Sequence, residues 1–351
     1  MSDFHLGKGR VLPDGTTNLL EDFYSDKAFI EFLDYYLQGE YKKAEAELII
    51  NGDFFNLLQI DYRNRFTDQI TESDALHKTM SILKGHPEMF EKLSEFSKAP
   101  SHSVTFILGN HDPGLLWPGV QEMLKSTLGG NIQFQLEYYR FDGVHIEHGN
   151  EYRADNRYDK ESYFLSEGLP EPIINLPWGS FFVIHFLNEI KKERPYLDKI
   201  YPFHNYLRWA LVHDTFFALK SIVKLVFYFL WFCFHRSPVY RSSFRDKVAI
   251  LKEATIHPKL HQEAKRILFS NQDIHTVIFG HTHQALYRMF APDKEYFNTG
   301  TWNEKISLDV GSLGRRLQLT FVMIEYDKNG LPHGSLKEWK GRSNVVEDVV
   351  F

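Results

Sequence analysis

Four short apolar runs in this chain each lead straight into a cluster of glycine with Asp, Asn or His. Glu47-Leu-Ile-Ile-Asn-Gly52 leads into Asp53, and Val104-Thr-Phe-Ile-Leu108 into Gly109-Asn110-His111-Asp112. Val144-His-Ile-Glu147 leads into His148-Gly149, and Thr276-Val-Ile-Phe279 into Gly280-His281-Thr282-His283. Runs this short, apolar and bounded by glycine read as buried strands of an α/β sheet rather than as helices. In such sheets binding sites assemble in the crevice beyond the carboxyl ends of the strands, so the four clusters are expected to meet in space.

The residue types in those clusters point to a metal. Carboxylate, amide oxygen and imidazole suit zinc, manganese, iron or nickel, and the lack of thiolates argues against a closed structural zinc site. With Asp3 and His5 there are seven candidate donors, enough for two divalent ions. One would take Asp3, His5, Asp53 and His283, and the other Asp53, Asn110, His148 and His281, with Asp53 as the bridge. Ions roughly 3.5–4 Å apart clamp a phosphoryl group and turn a bridging water into a hydroxide nucleophile. His111 is left over to protonate the leaving oxygen, with Asp112 or another carboxylate fixing its tautomer. Lys8, Arg10, Arg153 and Arg157 flank the clusters as candidate substrate contacts, and Asn56 is a candidate for the same role or for supporting a ligand. His86, His102, His145, His213, His257 and His261 are expected to be structural or surface histidines.

Asp3 and His5 follow directly on Met1, where a strand would be expected to carry them. That strand is missing, which predicts lower stability or metal affinity than in a chain extended upstream by apolar residues. Further on, Lys27 to Leu37 has helical spacing, Ser73 to Lys98 reads as a helical region, and the chain after His283 looks β-rich. Asp155 to Asn271 changes character to aromatic-rich helical segments broken by Pro170, Pro172, Pro177 and Pro195, and reads as an inserted helical cap. Its run Leu225 to Phe234 is wholly apolar with Lys220, Lys224, Arg236, Arg241 and Arg245 around it. The run falls short of the about 20 residues that span a bilayer. It fits a cap core or a face lying on a membrane surface. The one cysteine, Cys233, fits a reducing compartment and a buried inert thiol. A net charge of -6 argues against nucleic acid as the partner. No leader of the secretory kind opens the sequence, and the expected location is the cytoplasm, peripherally on the inner face of the membrane.

Asp3-Phe-His5, Gly52-Asp53-Phe-Phe-Asn56, Gly109-Asn110-His111-Asp112, His148-Gly149 and Gly280-His281-Thr-His283 resemble, in order and separation, the five blocks of calcineurin-like metallophosphoesterases. Asn298-Thr-Gly-Thr-Trp302 is similar to the segment that follows the last block in that family. The resemblance implies an α+β or α/β fold, a four-layer αββα sandwich of two mixed sheets flanked by helices. Here residues 1–154 and 272–351 would form it and 155–271 would be the cap. It implies two metals and the residue roles given above. A narrower resemblance, carried by Ser2-Asp-Phe-His-Leu-Gly7 and His148-Gly-Asn-Glu-Tyr-Arg-Ala-Asp155 with Tyr158, is to bacterial UDP-2,3-diacylglucosamine diphosphatases, whose helical cap receives acyl chains. The chain departs from these in carrying His111 where they typically carry Arg, Asn150 where they carry Asp, and a longer insertion.

The expected activity is therefore hydrolysis of a phosphate ester or pyrophosphate, on a phosphate-containing small molecule or a lipid-linked nucleotide. A nucleotide or cyclic phosphodiesterase, a phosphoprotein phosphatase and a nuclease are the rival enzymes. A metal-binding, catalytically silent scaffold is the rival from another class, and the complete donor set with His111 speaks against it.

Overall fold

The computed structural model of the chain describes residues 1–62, 65–234, 259–309, 313–342 and 346–348. Strands β1 (Ala46–Asn51), β2 (His102–Ile107) and β3 (Ile132–Gln135) pair in parallel in the order β1-β2-β3. Next in the chain come β4 (Tyr139–Phe141), β5 (Val144–Ile146), the small pair β6 (Phe164–Leu165) and β7 (Ile173–Ile174), and β8 (Ile200–Tyr201). After them come β9 (Thr276–Phe279), β10 (Ala285–Ala291), β11 (Lys294–Thr299), β12 (Lys305–Ser307), β13 (Gly314–Arg316), β14 (Thr320–Tyr326), β15 (Pro332–Trp339) and β16 (Val346–Asp348). The second large sheet runs β10-β11-β9-β5-β4, with parallel β5, β9 and β11 inside and antiparallel edges. All four expected strands are present, as β1, β2, β5 and β9.

Alternation along these strands builds the layers. Val277 and Phe279 of β9 and Tyr296 of β11 pack on Leu260, Ala264 and Leu268 of the helix Leu260–Ser270. Ile278 and Phe297, one residue along, point the other way and meet Ile107 of β2, Val144, Ile146 and Leu336. Val104 and Phe106 of β2 face the helices Asp26–Tyr36, Glu72–Gly85, Pro87–Lys98 and Pro118–Leu128 in the main core. Helices, sheet, sheet and helix thus stack as a sandwich, each side chain of a strand sent to the opposite face from the last.

Residues 1–6 lie along the free edge of β1. The Met1 amine donates to Ile49 O at 3.1 Å, Asn51 N to Met1 O at 2.7 Å, Asp3 N to Gly52 O at 3.1 Å and His5 N to Asp53 O at 2.9 Å. Phe4, fully buried, stacks on Trp302 at 5.2 Å and packs on Phe23, Phe29 and Phe54. The aromatic anchor fixes the short segment from below and turns Asp3 and His5 toward the crevice. Phenylalanines buried like this contribute about 3–5 kcal/mol each against alanine.

The expected helical region of residues 73–98 is two helices. Pro87 starts the second and pushes His86 out of the helical region. The freed His86 imidazole bonds half-buried Asp26, Nδ1 2.6 Å from Oδ1, and forms an ion pair with buried Glu21, Nε2 3.5 Å from Oε2. Glu21 in turn accepts from Gly7 N and Gly9 N, which ties down the loop after His5. Burial opposes the imidazolium, but Asp26 and Glu21 outweigh it and raise the pKa from 6.5 to about 9. The stabilisation, on the order of 3 kcal/mol, is full below pH 6.5 and lost as pH rises through 9. Urea unfolding of the wild type and His86→Gln should therefore show a gap at pH 6 that closes by pH 10. A gap independent of pH would sink the assignment.

Part of the aromatic insertion packs on the sandwich. Tyr158, Leu165, Ile173, Ile174, Leu176, Phe181, Val183 and Ile184 join the main core, and residues 260–270 cover the second sheet. A separate small core holds Ile190, Leu197, Ile200, Tyr206, Ala210, Phe217 and Ala218. The separately packed portion is thus narrower than 155–271, because apolar faces at both ends of that stretch find partners on the sandwich. The helices Phe203–His213 and Thr215–Phe234 leave much apolar surface in the open, with Val212 71%, Phe216 82% and Phe227 69% exposed. No helix among the described residues is long and apolar enough to cross a membrane. The Cys233 side chain, His257, Arg236, Arg241 and Arg245 lie outside what is described.

Candidate metal centre

The clusters at the ends of β1, β2, β5 and β9 meet, as their positions on the strands require. Asp3, His5, Asp53, His281 and His283 all have left-handed backbones, with φ of 56°, 52°, 52°, 66° and 56°. For residues with a side chain such conformations cost about 1–3 kcal/mol each and persist where surrounding bonds impose them. The glycines beside them are there for room. A Cβ on Gly109 would stand 2.2 Å from Asp53 Oδ1, and one on Gly52 2.4 Å from His148 Nδ1.

Donor atoms of Asp3, His5, Asp53 and His283 lie within 4.8 Å of one another, and so do those of Asp53, His148 and His281. Asp53 is common to both groups. His283 Nε2 is 3.1 Å from Asp3 Oδ1 and 3.0 Å from His5 Nε2, and His148 Nε2 is 3.2 Å from Asp53 Oδ2. Asn110 Oδ1 and His281 Nε2 are buried without a hydrogen-bond partner, and Asp3 Oδ1 and His148 Nε2 have only the ion-pair approaches just given. Orphaned polar atoms cost about 1–3 kcal/mol each. Such atoms on oxygen and imidazole donors beside paired carboxylates fit divalent cations, one taken by the group that holds Asp3 and another by the group that holds His148 and His281.

The charges agree. Burial works against ionised Asp3, yet His283 and His148 hold its carboxyl at about 2, and Asp53 is held well below the carboxylate range by His148, His111 and His5 against burial. Burial and the neighbouring His111 lower His5 to about 3, and burial with His148 lowers His281 well below the usual histidine value. Those two rings therefore keep their lone pairs. His148 is the exception, since Asp53 and Asp3 overcome burial and raise it to about 10. Its Nδ1 bonds Asn51 O at 2.8 Å, so the Nε2 proton is the one a cation would displace.

His111 stands edge-on to His5, ring centres 4.6 Å apart, and donates its backbone N–H to Asp53 Oδ1 at 2.8 Å. Its Nδ1 is 2.9 Å from Asn56 Oδ1. The expectation that Asp112 orients this ring is corrected here. Asp112 is fully buried, with Oδ1 on Phe55 N at 2.6 Å and Oδ2 on Gly109 N at 3.1 Å, so it braces two ligand loops instead. Burial and nearby Asp53 raise its pKa well above the carboxylate range. Asn56, also buried, is spent on His111 and Gln59 and does not face a substrate.

The remaining basic candidates are only partly at the site. Lys8 pairs with Asp61, and Arg10 lies over the Tyr24 ring. Arg153 forks onto Asp155 at 3.0 and 2.7 Å and acts on His281 through its charge. Arg157 is exposed. Of the other histidines, His102 is buried and bonded to Pro100 O and Tyr36 O, and His145 to Glu147 and Arg140.

Several supports come from residues for which the sequence suggested no role at the site, some of them inside the Asn298–Trp302 segment and at Tyr158. Thr301 Oγ1 and Asn303 Nδ2 bond the carbonyls of Asp3 and Phe4, Asn298 Nδ2 bonds Gly280 O at 2.6 Å, and Tyr158 OH bonds Gly109 O at 3.3 Å. Lys305 donates to His283 O, and burial lowers its pKa to about 8 against the pull of Asp3. Beside His283 opens a cavity of about 400 Å³ whose lining residues include Tyr201, Asn303, Lys305, Asp309, Arg316 and Gln318.

A family model described as calcineurin-like phosphoesterase matches residues 1–285. No curated protein matches the chain.

Proposed function

Because the chain belongs to the calcineurin-like phosphoesterases, and so is a metal-dependent phosphoester hydrolase, we propose that it uses two divalent ions to cleave a phosphate ester or pyrophosphate of a lipid-linked substrate. Asp3, His5, Asp53 and His283 hold one ion, and Asp53, Asn110, His148 and His281 the other. The observation that carries this is the pair of donor groups that share Asp53, with His281 Nε2 buried there without a hydrogen-bond partner. Bound there, divalent ions supply Lewis-acid polarisation of the phosphoryl oxygens and an acidified water.

The chain's own groups do the rest. His111 Nδ1 keeps its proton on Asn56 Oδ1, so the ring exchanges protons with the substrate at Nε2: the imidazolium gives its Nε2 proton to the departing oxygen and is left as the neutral Nδ1–H ring. The cavity beside His283 receives the non-reacting part of the substrate, with Lys305 and Arg316 as its two cations against one acid, Asp309, for the anionic groups. The lipid part of the reading is supported by the exposed apolar helices of the insertion, which carry Lys220 and Lys224 among their apolar residues. A face of that kind fits the headgroup region of a membrane, on its cytoplasmic side.

The test compares a nitrophenyl phosphodiester, a soluble UDP-sugar and an acylated UDP-sugar before and after chelation. All turnover should vanish with chelator and return with manganese or zinc, and the acylated substrate should be cleaved fastest. Turnover that survives chelation would refute the metal site, and equal rates on soluble and acylated substrates would refute the lipid part alone.

A further inference from the structure

An amide, unlike a carboxylate, has a donor end and an acceptor end, so the role of Asn56 beside His111 depends on which way it points. If Oδ1 faces the ring, Nδ1 keeps its proton throughout, and Nε2 is the nitrogen that takes up the acid proton and gives it to the substrate. If the NH₂ faces it, the tautomer is reversed. The direction has to be set by whatever holds the far end of the amide.

That far end is Gln59. Asn56 Nδ2 donates to Gln59 Oε1 at 2.9 Å, and the same oxygen accepts from Lys191 Nζ at 3.0 Å. Lys191 belongs to the helix Asn188–Lys191 in the insertion, and its side chain is fully buried. Its other donors go to Asp22 Oδ2 at 2.7 Å and to Asp198. Asn188 Nδ2, one turn earlier, bonds Leu58 O at 3.0 Å and seats the helix on the residue before Gln59. A lysine ammonium can only donate. Burial works against its charge, but the pair Asp22 and Asp198 outweighs this and keeps it protonated. Held there, it requires an oxygen from Gln59. That oxygen requires the Asn56 NH₂, and so Oδ1 is turned to His111 Nδ1 at 2.9 Å. Gln59 and Asn56 are 3% and 1% exposed, so water does not offer an alternative partner.

We propose that Lys191 and Gln59 are positioning residues which, through the one-way chain Lys191, Gln59, Asn56, set the Nδ1–H tautomer of His111. The insertion thereby reaches the reaction without touching it. The inference rests on the role of His111 proposed above.

The variant to read is Gln59→Met, which keeps the length and removes the acceptor, with Gln59→Leu beside it should the first not fold. The relay predicts kcat lower by on the order of 10- to 100-fold with KM and metal content little changed. It also predicts that the loss depends on position 56. In an Asn56→Asp background the carboxylate has no wrong way round, so adding Gln59→Met should lower kcat no further. An equal drop in both backgrounds would overturn the proposal. Independently of turnover, ¹⁵N spectra of histidine-labelled protein, with the His111 signal assigned by its loss in His111→Gln, should show Nδ1–H in the wild type and a shift toward Nε2–H in Gln59→Met. If the wild type shows that tautomer and its switch but no hydrolysis, the relay stands and the reading of the reaction falls. An unchanged tautomer in Gln59→Met refutes the relay.

Discussion

Asp53→Asn should lower phosphodiester turnover by about 10³-fold or more and should also release bound metal. Asp53 is the one side chain common to both donor groups, with Oδ2 3.2 Å from His148 Nε2 and 3.7 Å from His5 Nε2. Removing its charge leaves each remaining set of imidazoles and oxygens short of an anion. A loss of about 4 kcal/mol of transition-state stabilisation is what a thousandfold requires, within the several kcal/mol that a bound divalent ion supplies to phosphoryl transfer. The substitution is chosen to spare the fold. Asparagine tolerates the left-handed φ of 52° at this position and keeps an oxygen for His111 N. The melting temperature of the metal-free protein should therefore stay close to that of the wild type. Turnover within tenfold of wild type, at equal metal content, would remove Asp53 from the centre.

His111→Gln should separate chemistry from metal binding. General acids contribute about 10²- to 10⁴-fold, and His111 meets the centre through its backbone N–H and its ring edge rather than through either donor group. The expected result is kcat down by a factor in that range with bound metal unchanged and KM altered little. Glutamine can still reach Asn56, so the loop keeps its support. Metal lost in step with activity would move His111 into the ligand shell.

The candidate donors were legible because a sheet writes them in a simple form. Each of β1, β2, β5 and β9 is a short apolar run, and each is followed by the room a glycine provides and the donor a metal needs. The break at His86 was missed by reading 73–98 as one helical region, although Pro87 marks it, and the acids that receive the freed imidazole, Glu21 and Asp26, are far off in the chain. Partnership across the fold is what the sequence conceals. Asp112 stands next to His111 and looked like its orienting carboxylate, yet it turns to Phe55 N and Gly109 N while Asn56 takes the ring. Lys191 is one lysine among many in an aromatic stretch, and only its burial against Asp22, Asp198 and Gln59 distinguishes it. Packing within the insertion was hidden for a related reason. Aromatic, helical composition marks residues 155–271 as one piece, whereas packing assigns 158–184 and 260–270 to the sandwich.

The central claim is that two divalent ions share Asp53, and metal stoichiometry tests it most directly. Chelated protein is titrated with manganese, desalted at each step, and its metal-to-protein ratio is measured by mass spectrometry beside its turnover. Turnover should climb with occupancy and level off at about two ions per chain, and Asp53→Asn should hold fewer than one. Full activity with one ion or none, or two ions retained by Asp53→Asn, would contradict the account.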